Sequence, residues 1–94
     1  MMYFVTTINV ENDEIKESRC IGYFDTYEEA ENIVLNNMFD IHELLYNYAL
    51  IEAIPSGAYQ YDENPHWFIW SISGHFEEIN APEFAKCRVG FGIG

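Results

Sequence analysis

Ninety-four residues with 16 Asp and Glu against 4 Lys and Arg have a formal net charge of −12. At 49% hydrophobic and 17% aromatic, the chain is too apolar for a disordered acidic tail. Its length suits one compact domain, residues 1–94, with a radius of gyration of about 12 Å. Direct binding to DNA, RNA or an anionic membrane is excluded on charge, because those partners need a basic surface.

The first residues, 1–8, lack the basic region and small-residue cleavage site of a signal peptide. No apolar run approaches the ~20 residues that cross a bilayer. The expected location is therefore the cytoplasm, or the host cytoplasm if the chain is phage-encoded. Residues 3–10 (YFVTTINV) predict a strand, with Phe4, Thr6, Ile8 and Val10 on one face and Tyr3, Val5, Thr7 and Asn9 on the other. Two apolar faces place this strand centrally, covered on both sides, or else leave one face for an oligomer contact. The polar stretch Glu11-Asn12-Asp13-Glu14 must turn the chain, and residues 19–24 (RCIGYF) complete a hairpin.

Thr26 followed by Glu29 reads as a capping box, with Glu28, Glu29 and Glu31 at the positive end of a helix dipole. Tyr27, Ala30, Ile33/Val34 and Asn37 follow at helical spacing, so one narrow stripe packs on the sheet. Asn36-Asn37 should end the helix, because short amides compete for backbone bonds. Residues 40–45 suggest a further helical turn capped by Asp40. Residues 46–54 predict a central strand, although Ala, Leu and Glu there also suit a helix.

Residues 59–65 form a loop bearing Asp62 and Glu63, and Trp67–Ile72 is the strongest strand signal in the chain. Ser73-Gly74 suits a tight turn into a strand over 75–79. Pro82 suits the first position of a single helical turn, and Val89, Phe91 and Ile93 alternate with glycines. Those glycines suggest close approach by a backbone or a ring, or a loosely ordered end. The sum is an α+β fold: a mostly antiparallel sheet, β-β-α-β-β-β-β along the chain, with one main helix on one face.

Cys20 and Cys87 form no local motif and are expected to be reduced core residues. His42, His66 and His75 are the candidates for a base near neutral pH. None belongs to a metal-binding or nucleophile motif, so each reads as structural or solvated. No catalytic residue, cofactor or metal ligand is assigned.

The acidic residues recur along the whole chain, which suits a solvated surface. A net charge of roughly 2–8 already keeps a small domain soluble, so the excess points to a basic partner or to high-salt surroundings. Carboxylates on one ridge resemble a phosphate track and accept paired hydrogen bonds from arginine. Trp67 and Ile69 cannot face the same side as Phe68 and Trp70, which puts one large ring outside the main core. That ring either enters a second packing layer or dimer contact, or anchors an interface. The candidate partner-binding residues are Glu28, Glu29, Glu31, Asp62, Glu63, Trp67, Trp70, Glu77 and Glu78.

The stretches YFVTTI (3–8), SRCIGYFDTYEEAENIVLNN (18–37), YNYALIEAIPSG (46–57), WFIW (67–70) and GFGIG (90–94) resemble a family of small, acidic, uncharacterised proteins of Gram-positive bacteria and their phages. The resemblance implies no residue-level activity. It implies a setting in which short acidic proteins bind and disable host or rival machinery.

The expected function is thus a non-enzymatic acidic protein-binding module of the phage-inhibitor kind. Its partner would be a protein with a basic surface, such as a host-defence or nucleic-acid-processing complex, and a homodimer is compatible with it. The alternative is a small-ligand or nucleotide-sequestering protein with an aromatic-lined pocket, placed near Trp67 or Trp70 with Arg19 or Arg88. An enzyme would need a converging histidine–carboxylate constellation.

Overall fold

The computed structural model describes residues 1–36, 46–55, 64–71 and 74–84. Five strands form one antiparallel sheet: β1 (Met2–Glu11), β2 (Glu14–Phe24), β3 (Tyr48–Ile54), β4 (His66–Trp70) and β5 (Phe76–Ile79), in the order β2-β1-β3-β4-β5. The helix α1 (Tyr27–Leu35) packs on one face. Since β2 and β3 both run antiparallel to β1 on its two sides, the path between them crosses β1, and α1 lies on that path. The fold is α+β, as the sequence predicts. The suggested helical turn at 40–45 and the terminal strand at 89–93 lie outside the described residues.

The β1–β2 hairpin closes through Asn12 (φ 53°) and Asp13 (φ 64°). A two-residue loop with both φ values positive matches the right-handed twist of the flanking strands, and Asn and Asp tolerate that conformation better than most residues. The tight turn lets β2 begin at Glu14, five residues before the expected Arg19. Ile15–Ser18 were not legible as strand because an edge strand keeps its charged, solvated side chains. Ile21 and Lys16 bulge out of the register with β1.

Both faces of β1 are buried. Val5, Ala49, Ile51, Phe68 and Phe76 meet Ala30 and Val34 of the helix, with Tyr3, Tyr27 and Trp70 around them. On the far face Ile8, Leu50 and Trp67 form a second cluster, joined by Tyr48, Ile79 and Phe84. The alternation in residues 3–10 thus reports a central strand covered twice. The segment that also suited a helix is β3, the middle strand of the sheet.

α1 starts as a capping box. Thr26 Oγ1 accepts from the Glu29 N–H at 3.2 Å and donates to Glu29 Oε1 at 3.1 Å. Asn36 ends it, donating from its side chain to the Asn32 carbonyl at 2.8 Å. Gly74 takes φ 87° at the β4–β5 connection and donates to the Ser71 carbonyl, while Ser73 of the expected turn lies outside the described residues. Glu83 and Phe84 form a 3-10 turn after Pro82. Cys20 departs from expectation: it is a free, exposed thiol on the edge strand, where alternation meets solvent rather than core. Cys87 lies outside the described residues.

Candidate functional site

The register on the helix side leaves a gap. Tyr3 stands opposite Ala53, and Ile51 stands opposite His66. Ala53 carries too little side chain to fill the space beside the tyrosine. The result is a cleft of about 200 Å³, lined among the described residues by Tyr3, Tyr27, Ile51, Ala53, Asn64 and His66. The rings meet around it: Tyr3 and Tyr27 edge to face at 6.0 Å, and Tyr27 and His66 at 4.6 Å between centroids.

Two carboxylates from different elements bond to residues that line this cleft. Glu31, one turn along α1, accepts a hydrogen bond from the Tyr27 hydroxyl at 3.2 Å. Glu78, on β5, takes His66 Nδ1 at 2.7 Å on its Oε2. The Tyr27 hydroxyl is held well above the ordinary tyrosine range, first by burial and then by the negative charges of Glu31 and Glu78. Each effect disfavours the phenolate, so Tyr27 remains a donor. No Lys or Arg is among the described lining residues.

Of the nine residues expected to bind a partner, the seven described ones separate in space. Glu31 and Glu78 both act on Tyr27, a lining residue of the cleft. Glu28 is exposed on the first turn of α1, and Glu29 is exposed but engaged in the cap. Glu77 points to the opposite face from Glu78, because neighbours in a strand alternate. Its carboxylate meets His75 Nε2 at 3.2 Å. Asp62 and Glu63 lie outside the described residues.

Of the alternatives open to the large rings, Trp67 takes the second packing layer. Trp67 is only 1% exposed and packs edge to face on Phe84 at 5.6 Å, within the second packing layer. Trp70 is half-buried against Phe76. The aromatic cleft is instead built from Tyr3, Tyr27 and His66, and neither tryptophan nor Arg19 is among its described lining residues. Arg88 lies outside the described residues.

The sequence carried part of this signal. Tyr3 falls on the Val5 face of its strand and Tyr27 on the inward stripe of the helix, so the two had to meet across one interface. His66 was legible only by extending the alternation of Phe68 and Trp70 one step back.

Chemically, the site can accept a cation on its aromatic faces and on the carboxylates bonded to them. Among the described residues no group of three or more His, Cys, Asp or Glu is placed to hold a metal ion. No helix among them is long and apolar enough to cross a membrane. No protein family, curated protein or solved structure matches the chain.

Proposed function

We propose that this chain is a non-enzymatic acidic module that binds the basic surface of a protein partner through the helix-bearing side of its sheet. The observation that carries this reading is that Glu31 and Glu78, from α1 and β5, both act on the Tyr27 hydroxyl, at the wall of one cleft, in a chain of net charge −12. Complementary charge of that kind speeds encounter and sets orientation. The Tyr27 and His66 rings supply contact area that loses little conformational freedom on binding. The His66–Glu78 pair by itself does not favour catalysis: both side chains are about half exposed, at 48% and 51%. No serine or cysteine lies among the described lining residues.

The more specific form of the proposal is an inhibitor of a host-defence or nucleic-acid-processing complex, acting in the cytoplasm. It draws on the resemblance to small acidic proteins of Gram-positive bacteria and their phages. A basic groove that normally holds phosphates is a suitable target for a rigid carboxylate-bearing face. A second reading, sequestration of a small ligand, draws on the cleft itself. Its volume of about 200 Å³ falls below the roughly 300–1,000 Å³ of sites for drug-sized ligands. A nucleotide is therefore disfavoured, and a small organic cation is the ligand class that fits.

The test is affinity capture from a bacterial lysate at about 0.1 M and about 1 M salt, where charges are screened over about 10 Å and about 3 Å. The wild-type chain is compared with the Glu31→Gln/Glu78→Gln double variant, and captured proteins are identified by mass spectrometry. A basic protein retained at low salt, released at high salt and weakened in the double variant supports the proposal. A partner held equally at both salts and by both chains overturns it.

A further inference from the structure

We infer that the cleft between Tyr3, Tyr27 and His66 receives a single arginine side chain of the basic partner; this deepens the protein-binding reading and rests on it. Four features of the cleft select that occupant. Its walls are two phenol rings and an imidazole, and a planar guanidinium stacks on aromatic faces in a way that a compact ammonium does not. Its lining includes Ile51 and Ala53, apolar surface for the methylene stem behind a charged head.

Two of its lining residues each hold a carboxylate from outside the lining, Glu31 on Tyr27 and Glu78 on His66. Tyr27 holds one oxygen of Glu31, and His66 holds Oε2 of Glu78. The other carboxylate oxygen of each remains to accept from an incoming fork of N–H donors. Because the two carboxylates are held before the ligand arrives, less side-chain freedom is lost on binding. Finally, no Lys or Arg among the described lining residues competes for them, and the volume of about 200 Å³ suits one side chain.

The alanine makes the site. Ala53 faces Tyr3 across the β1–β3 pair, and any larger aliphatic side chain there would occupy the space assigned to the arginine. Ala53→Leu therefore closes the cleft while leaving Glu31, Glu78 and the surface charge in place. That separates loss of the cleft from loss of the acidic surface.

The test titrates N-acetyl-arginine amide into the full chain and follows the backbone and aromatic NMR signals of Tyr3, Tyr27, Ala53 and His66. N-acetyl-citrulline amide serves as the uncharged isostere and N-acetyl-lysine amide as the compact cation. The expected result is a saturable shift confined to the cleft for the arginine probe, at least fivefold weaker for lysine and absent for citrulline. Glu78→Gln should weaken the arginine probe about fivefold, and Ala53→Leu should abolish its saturable shift.

Equal binding of citrulline or lysine overturns the inference, as does an arginine shift that survives Ala53→Leu. The two proposals fail separately. Salt-sensitive partner capture that Ala53→Leu leaves unchanged removes the arginine from the cleft but leaves the acidic-surface reading in place. Probe binding without any salt-sensitive protein partner does the reverse.

Discussion

The side-chain amide of Asn47 pairs with the main chain of Val10 as another peptide group would. Its Oδ1 accepts from the Val10 N–H at 2.9 Å and its Nδ2 donates to the Val10 carbonyl at 2.8 Å. The backbone of Asn47 meanwhile donates to the Ile8 carbonyl and accepts from the Trp70 N–H. One residue thus extends the β1–β3 ladder past the end of β3 and ties in β4. Asn and Gln are the side chains that offer both a donor and an acceptor in amide geometry.

Asn47→Ala leaves the N–H and carbonyl of Val10 without that partner in a half-buried setting. The expected cost is about 1–3 kcal/mol, read as a fall in the urea midpoint with an unchanged slope. Asn47→Asp keeps an acceptor for the N–H but sets a carboxylate against the Val10 carbonyl. It should therefore be at least as destabilising near neutral pH and recover partly in acid. Equal stability of wild type and Asn47→Ala would show that the amide bridge adds nothing to the sheet.

Thr6 and Thr7 are adjacent, both fully buried, and should respond oppositely to the same change. The Thr6 hydroxyl has no hydrogen-bond partner among the described residues, whereas Thr7 Oγ1 donates to the Arg19 carbonyl at 3.4 Å. Burying a hydroxyl without a partner costs roughly 1–3 kcal/mol on mutational scales. Thr6→Val, of nearly the same shape, should raise stability by about 1 kcal/mol. Thr7→Val removes a long, weak bond and should lower stability by less than about 1 kcal/mol. Denaturant unfolding of the two variants decides it; a destabilised Thr6→Val would mean that the hydroxyl is satisfied in solution.

Local pattern and long-range placement were legible to different degrees. Alternation over residues 3–10 showed that β1 has two apolar faces, because period two is a property of the strand itself. The capping box at Thr26 and Glu29 was legible for the same reason: both partners lie within four residues. The same alternation placed Trp67 and Phe68 on opposite faces but was silent on whether the second face is covered. Phe84, far along the chain, packs on Trp67 and makes it part of a second packing layer. Glu52 is a further case, a carboxylate within β3 that the sheet buries to 1% exposure. Convergence of Glu31 and Glu78 was not legible, since it requires α1 to cross the sheet and β5 to pair with β4.

Glu77 and Glu78 are neighbours in sequence with unequal expected roles. Glu78 bonds to His66 of the cleft and Glu77 lies with His75 on the other side of the strand. With a basic partner in hand, Glu78→Gln should weaken binding about fivefold, equivalent to about 1 kcal/mol for one partly solvated charge contact. The difference should shrink at about 1 M salt, where the Debye length is about 3 Å. Glu77→Gln should stay within about twofold of wild type. Isothermal titration at two ionic strengths measures both, and equal losses for the two variants would mean that the partner does not use the helix side of the sheet.

Alkaline pH supplies a check on the site that needs no partner. Tyr27 and Tyr46 both have their hydroxyl pKa raised in the fold: Tyr27 by burial and then by Glu31 and Glu78, Tyr46 by burial and by its bond to Glu17. A raised folded pKa means that the native chain keeps these protons where the unfolded chain releases them. The unfolded state then binds fewer protons, so stability falls as pH rises. The contribution is fully present below the unfolded tyrosine pKa of about 10 and is lost progressively as pH climbs from there toward the folded values. Unfolding midpoints measured from pH 8 upward should therefore stay level at first and decline above about pH 10. Tyr27→Phe removes one of the groups that must stay protonated and should flatten that decline relative to wild type. Glu31→Gln should lower the pKa of the Tyr27 hydroxyl, seen as an earlier tyrosinate absorbance step. If Tyr27→Phe and wild type lose stability along the same pH curve, the carboxylates do not crowd the Tyr27 hydroxyl as the geometry requires.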